Sequence, residues 1–452
     1  MVPQRLSRRN LLKSAIVVGA ATSMGPLLEA CGGGSSSTSS NSSTTVTLQM
    51  WSGPEGVAMR PIVARWNSEM RPKTGITLQE TEPSRAGYDA LITSQLLSKS
   101  GTPDIVFPFN WDVARVAKAG TLVDLTPYIN KDPSGFQMDD FFKVAVDSTN
   151  IDGHQYALPL DMSLPILYYR KDLISTPPDT WDEFLQMADK FTQSRNSSSP
   201  TRYGTTLYAH TGVAEAAQLW EEILWPYGGQ LADSSFHWTI ASDAGVKATN
   251  VGRTLVQRGN VPQPVTSYEY PQVLAALTNG SVAFIQEWNA AWGQIIDKTQ
   301  NPSYFDKIQY APIPGVSQSD GTVKRAYHVH TINLAVNASS KHVDQAVEVL
   351  KWLLRPDVAV AYTVAGGNTP RQSIFNSPDV AKVRPGFQSW LATQVSDSGQ
   401  LEPKLAEMPD IDDLIMNQYL NAAWAGQMDP MAALSAAQDK INALLKKDGV
   451  LK

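Results

Sequence analysis

The chain has 452 residues, with 37 Lys and Arg against 43 Asp and Glu, a formal net charge of −6. That acidic balance excludes binding of nucleic acid, or of a polyanion, by bulk positive charge. A single cysteine leaves no partner for an intramolecular disulfide and no thiol cluster for a metal, so the fold must rest on its core.

The first residues read as an export leader. Ser7-Arg8-Arg9-Asn10-Leu11-Leu12-Lys13 precedes an apolar run from Ala15 to Leu28, and the run ends in Leu28-Glu29-Ala30-Cys31. A charged start, a short apolar core and a small residue before the cut form a signal peptide over 1–30. The Arg8-Arg9 pair resembles the twin-arginine signal read by an exporter of folded proteins. The ending resembles a lipoprotein processing site with Cys31 as the lipidated residue, although Glu29 stands where a small or apolar residue is usual. The alternatives are cleavage without lipid and a retained membrane helix. The apolar run is about 14 residues, short of the roughly 20 that span a bilayer, and Gly25 and Pro26 break it. Residues 31–44 are rich in Gly and Ser and read as a flexible tether. The expected location is the outer face of the cytoplasmic membrane. The remaining ~420 residues exceed one ordinary core and fit two domains.

Beyond the tether, Thr45 to Met50 alternates polar and apolar residues as a strand does. It runs into the turn-rich Trp51-Ser52-Gly53-Pro54-Glu55-Gly56. A helix over 57–70, a strand over 74–81, a helix over 88–99 and a short buried strand ending near Pro108 follow. This alternation predicts a mostly parallel α/β sheet, whose ligand crevice lies outside the strand ends. Further strands are expected around 152–160, 164–169, 281–286 and 331–336. Thr180 and Glu183 fit a capping box. Helices are expected over 212–224, over 343–354 and through 431–445, with a loop at 366–371.

The motifs then fall in a familiar order. Pro103-Asp104-Ile105, Ala119 to Leu125, Asp152 to Pro159, Leu167 to Asp172 and Pro178 to Phe184 are followed by Asn279 to Phe284, Ala311 to Gly315 and Gly367 to Arg371. The series resembles the extracellular solute-binding proteins of the maltose-binding type (family 1), over nearly all of 45–445. The resemblance implies an α/β fold of two discontinuous lobes, 45–163 plus 313–367 and 164–312 plus 368–452, joined by several crossing strands. It implies hinge closure over a mono- or oligosaccharide and delivery to the membrane permease of an ABC importer. A monomer is expected, with neither cofactor, resident metal nor enzymatic activity.

A sugar offers hydroxyls in a fixed pattern and a weakly apolar C–H face. Carboxylates and amides suit the first and aromatic faces the second. Trp51, at a strand end in a Gly/Pro loop, is a candidate platform or a core residue. Asn110 and Trp111 follow the 105–107 strand. Asp161 falls where the lobes meet, to bind hydroxyls or to tie the hinge. Glu287, Trp288 and Asn289 follow the 281–286 strand. Trp225 and Tyr227 lie in a Trp-Pro-Tyr-Gly-Gly loop. Asn368 and Arg371 lie at the last crossing, with Arg371 on a hydroxyl or on the hinge. His328 and His330 flank Val329, so a strand projects both to one face. They are core histidines, ligand contacts or half of a metal site, and no third metal ligand stands nearby in the sequence. Two readings compete. A glycoside hydrolase would set two carboxylates across the cleft, about 5–10 Å apart. A receptor of the same fold would take a phosphorylated polyol or another polar solute.

Overall fold

The computed structural model describes residues 44–452 except 86, 212 and 213. The leader, Cys31 and the tether up to residue 43 lie outside the described residues. Strand Thr44–Gln49 (β1) buries Val46 and Leu48 and leaves Thr45 exposed, as the alternation predicts. Helix Pro54–Glu69 (α1) starts on a proline, whose missing amide costs nothing at that position. Strand Ile76–Thr81 (β2), helix Tyr88–Leu97 (α2), strand Ile105–Val106 (β3) and helix Asn110–Lys118 (α3) complete the first unit of alternation. Next come strands Leu158–Ser163 (β4) and Pro165–Arg170 (β5). Helices Trp181–Lys190 (α4), Glu215–Leu224 (α5), Asp243–Gln257 (α6) and Tyr270–Thr278 (α7) follow. The rest comprises strands Phe284–Trp288 (β6), Ile308–Ala311 (β7) and His330–Val336 (β8), then helices Val343–Leu353 (α8), Pro356–Val364 (α9), Phe387–Ser398 (α10), Asn417–Trp424 (α11) and Pro430–Lys447 (α12).

Two sheets organise these elements. The first has the order β2-β1-β3-β8-β4 and the second β6-β5-β7. β1 runs parallel to β2 and β3, whereas β8 is antiparallel to β3 and β4. In the second sheet β5 is antiparallel to both neighbours. The expected parallel sheet therefore holds only among β1, β2 and β3, consecutive strands each joined to the next by a helical crossover. Elsewhere a strand's partner arrives after a long excursion, and local periodicity carries no information on its direction.

β4 belongs to one sheet and β5 to the other, with Leu164 alone between them. Asn289 clamps this crossing: its Oδ1 accepts from the Leu164 amide at 2.8 Å, and its own amide donates to the Leu164 carbonyl at 3.0 Å. The β8–β4 register shifts between Ile332 and Asn333, where β4 carries the extra residue Leu160. Around the first sheet, Val46, Leu48, Trp66 and Trp352 share one apolar cluster. Around the second, Leu164, Ile166, Trp292 and Phe387 share another. A third unites α4, α5, α6, α11 and α12 through Phe184, Trp220, Leu255, Trp424 and Ile441. The Thr180–Glu183 capping box forms: Thr180 Oγ1 accepts from the Glu183 amide at 3.2 Å, and Glu183 accepts from the Thr180 amide at 3.2 Å. Among the described residues no helix is long and apolar enough to cross a membrane.

Candidate functional site

A cavity draws its wall from both sheets. Glu55 comes from the start of α1, Arg85 from the loop after β2, Trp111 from α3 and His330 and Ile332 from β8. The opposite wall is Glu215 and Gln218 of α5, Tyr270 of α7 and Trp288 at the end of β6. Most of these positions are strand ends or first helical turns, where side chains converge beyond the sheet edge.

Phe109, Trp111 and His330 pack as a mutually touching trio, with Phe109 4.9 Å from His330 at 43°. Phe109 lies 4.8 Å from Trp111 at 15°, and Trp111 lies 4.6 Å from the His330 ring at 28°. Trp288 meets His330 edge-on at 5.4 Å. Trp51 sits one layer back: it is fully buried, 4.8 Å from Phe109 and 5.1 Å from Tyr88. Its Nε1 donates to Glu55 Oε2 at 3.2 Å, so the Trp51 ring holds Glu55 at the wall. The Arg85 guanidinium covers the Trp51 and Phe109 rings at 5.3 and 5.1 Å.

The polar lining is under-satisfied. Glu215 Oε2, both amide atoms of Gln218 and His330 Nε2 are buried and have no hydrogen-bond partner among the described residues. Buried polar groups are normally paired, so this concentration leaves donors and acceptors open to the cavity. Burial pushes the Glu215 carboxyl up. Burial, aided by Arg85 and His328, pushes His330 well down, which keeps its imidazole neutral at pH 7. Asn110 is committed elsewhere, its Oδ1 accepting from the Thr331 amide at 2.9 Å. That bond fixes Trp111 beside β8.

Glu287 is buried behind Trp288. It accepts from the Tyr208 hydroxyl and, at 2.7 Å, from the Trp288 amide, and burial pushes its carboxyl well up. Asp161 is buried under the crossing. It accepts from the Tyr362 hydroxyl at 3.0 Å and the Asn368 amide at 2.7 Å. Burial and the nearby Glu55 carboxylate push it up to about 7. Asn368 Oδ1 in turn accepts from Arg384 Nη1 at 2.6 Å. Gly367 has no room for a methyl group, because the Tyr362 ring lies against it.

Arg371 is 1% exposed and fully engaged away from the cavity. It donates to Asp140 Oδ2 and to the Phe136 carbonyl, each at 2.8 Å, and lies 4.3 Å over the Phe141 ring. Trp225 and Tyr227 follow α5. Trp225 lines a separate groove with Gly228, Gly229 and Glu402, and the Lys247 ammonium lies 5.6 Å over Tyr227. His328 is fully buried and parallel to Trp225 at 6.3 Å. Its amide donates to Glu222 Oε1 and its Nε2 lies 2.7 Å from Glu402 Oε1. The structure thus gathers Trp111, Trp288 and His330 at one cavity, with Trp51, Asn110, Glu287 and Asn289 in the layer behind them.

Arg85, Glu55, Glu215, Gln218 and Tyr270 were not among the residues expected from the sequence. Arg85 and Glu55 both lie just beyond strands, which is a usable signal. Glu215 and Gln218 carry none, since charged and amide residues in a helix read as its solvent face, whereas Gln218, Glu221 and Glu222 are all buried.

The fold and the cavity define a class, the two-lobed solute-binding proteins of the maltose-binding type. A family model described as bacterial extracellular solute-binding protein matches residues 51–360, and the chain belongs to that family. A relative from Sinorhizobium fredii, named a probable amino-acid ABC transporter periplasmic-binding protein, is 26% identical over 277 residues, 61% of this chain. The match spans 59% of that relative's length. The erythritol/L-threitol-binding protein of Mycolicibacterium smegmatis is 23% identical over 413 residues, 83% of each chain. Among solved structures, the maltose-bound MalE3 of T. maritima superposes with a TM-score of 0.77 at 22% identity, covering 89% of this chain and all of that one.

Proposed function

We propose that the protein is the receptor of an ABC importer, which captures a neutral sugar or polyol between its lobes and hands it to a membrane permease. One observation carries this: a single cavity combines the faces of Trp111, Trp288 and His330 with the unpaired polar atoms of Glu215, Gln218 and His330. Flat apolar surface beside unsatisfied donors and acceptors is the complement of a polyhydroxylated ring or chain. The erythritol/L-threitol receptor, matched over 83% of its length, supports a polyol, and the maltose complex supports a sugar. We take the lobes as 45–163 plus 313–367 and 164–312 plus 368–452, with Leu164 and Gly367 at crossings. The receptor is exported and lipidated at Cys31, and it returns its ligand chemically unchanged.

Calorimetric titration with erythritol, mannitol, maltose, a glycerol phosphate and a neutral amino acid tests this. Saturable binding of a polyol or sugar, recovered intact, is expected. Binding of the amino acid or the phosphate alone overturns the substrate class, and cleavage of maltose overturns the receptor.

A further inference from the structure

Next to the solute cavity lies a buried cluster that solute binding leaves unexplained. Glu221 from the last turns of α5, His328 from the short strand before β8 and Glu402 from the loop after α10 each place one donor atom within 4.8 Å of the others. All three are buried, Glu221 at 1% and His328 at 0% exposure. They come from segments 107 and 74 residues apart in sequence. From this geometry we infer that Glu221, His328 and Glu402 form a binding site for a divalent first-row metal ion of the zinc class.

The donor chemistry carries the inference. His328 Nε2 lies 2.7 Å from Glu402 Oε1 and 3.9 Å from Glu221 Oε2. A proton on Nε2 satisfies Glu402 but leaves Glu221 Oε2 without a hydrogen bond. His328 Nδ1 is also without one among the described residues, and the Glu402 carboxyl shares a hydrogen bond with Asp412. Two buried carboxylates and one imidazole carry two negative charges when the ring is neutral. A divalent cation matches that charge, whereas an imidazolium matches half of it. One nitrogen and two carboxylate oxygens suit zinc and its first-row neighbours, and the imidazole disfavours calcium and magnesium.

Two further acids border the cluster, Asp412 beside Glu402 and Glu222 on α5. Glu222, the other carboxylate at the end of α5, is satisfied by the His328 amide and the Gln286 side chain, so it holds the strand and leaves His328's ring to the cluster. Glu402 also lines the groove bounded by Trp225, Gly228, Gly229 and Pro403, which supplies a route from solvent. An ion there ties α5, which carries Gln218 into the cavity, to the strand that carries His330.

Metal analysis and titration of the full-length exported protein test this independently of the solute. One equivalent of zinc is expected after purification, removed by a chelator with a fall in Tm and restored by zinc chloride. Cobalt(II) in its place should give visible absorption of a low-coordinate nitrogen–oxygen site. Substituting even a group one step removed from a metal commonly weakens binding 10- to 100-fold, so Glu221→Gln and Glu402→Gln should each weaken zinc binding by at least about tenfold. His154→Ala, at the exposed pair with Asp124, should leave the titration unchanged. Both Gln variants keep the shape of the side chain, so they remain informative if His328→Ala does not fold. No stoichiometric metal and no Tm response to zinc overturns the site, as does a titration identical in the wild type and both Gln variants.

Discussion

Trp111 and Trp288 face the same space from opposite walls, but they are embedded differently. Trp288 is 6% exposed and belongs to the apolar cluster of the second sheet, whereas Trp111 is half-buried and packed against Phe109 and His330, which also touch each other at 4.9 Å. Trp111→Ala therefore separates recognition from stability better than truncation of Trp288. Losing an aromatic face is worth about 1–2 kcal/mol of contact, and 1.4 kcal/mol is tenfold in affinity. Trp111→Ala should weaken solute binding by about tenfold or more with the fold retained by circular dichroism, and an unchanged calorimetric affinity removes Trp111 from the site. Arg371 makes the opposite case. Its guanidinium is spent on Asp140, the Phe136 carbonyl and the Phe141 ring, so of its two sequence readings the structure favours the structural tie. Bonds to charged groups contribute about 1.5–3 kcal/mol each. Arg371→Met should lower stability by about 2–3 kcal/mol in denaturant titration while solute affinity stays within about twofold.

At the scale of elements, local chemistry and tertiary chemistry part company. The start of α4 is written in four residues, Thr180 to Glu183, and both capping bonds form. Thr180→Ala should cost about 1 kcal/mol, read as a lower urea midpoint at constant slope. An unchanged midpoint would show that α4 is held by Trp181 and Phe184 alone. β1, β2 and β8 were likewise legible because apolar side chains recur at every second residue or in an unbroken run. α5 was not legible in the same way. Its register was expected, but Gln218, Glu221 and Glu222 are buried because β6, the strand before β8 and the 399–407 loop close over the face that the sequence presents as polar.

For the whole molecule, the balance of buried carboxyls sets the pH at which it is most stable. Glu80, Asp89 and Asp161 are pushed up to about 7, 6 and 7, chiefly by burial. A carboxyl whose folded value is raised destabilises the fold above that value, and the penalty disappears as pH falls towards its unfolded value. Paired carboxylates act in the other direction. Asp140 is held low by Ser373 and Arg371 against the opposing effect of burial, and Asp297 is held at about 2 by Thr299 and Gln300. Their contribution is present above about pH 4 and is lost as pH falls through the depressed values. Tm should therefore rise from pH 8 to about pH 5 and fall below about pH 4. Asp161→Asn, which keeps the acceptor for Tyr362 and Asn368, should flatten part of the rise. A Tm that falls steadily from pH 8 to 6 contradicts the assignment, as does an unchanged slope in the variant.

The sequence by itself determined the alternation of strands and helices, the capping box, the absence of a basic binding face and the order of motifs that led to the family. Each is local or compositional, so it survives in one dimension. Trp288 and Trp111 were findable for the same reason, since one ends a strand and the other stands just beyond one. Tertiary structure alone decided which strands run antiparallel, that Leu164 alone separates β4 of one sheet from β5 of the other, and that Trp51 supports Glu55 behind the cavity wall. It also decided that Glu221 and Glu402 meet His328. Those outcomes depend on residues distant in the chain being brought within a few ångströms, where burial, not sequence spacing, sets the strength of every charge and hydrogen bond.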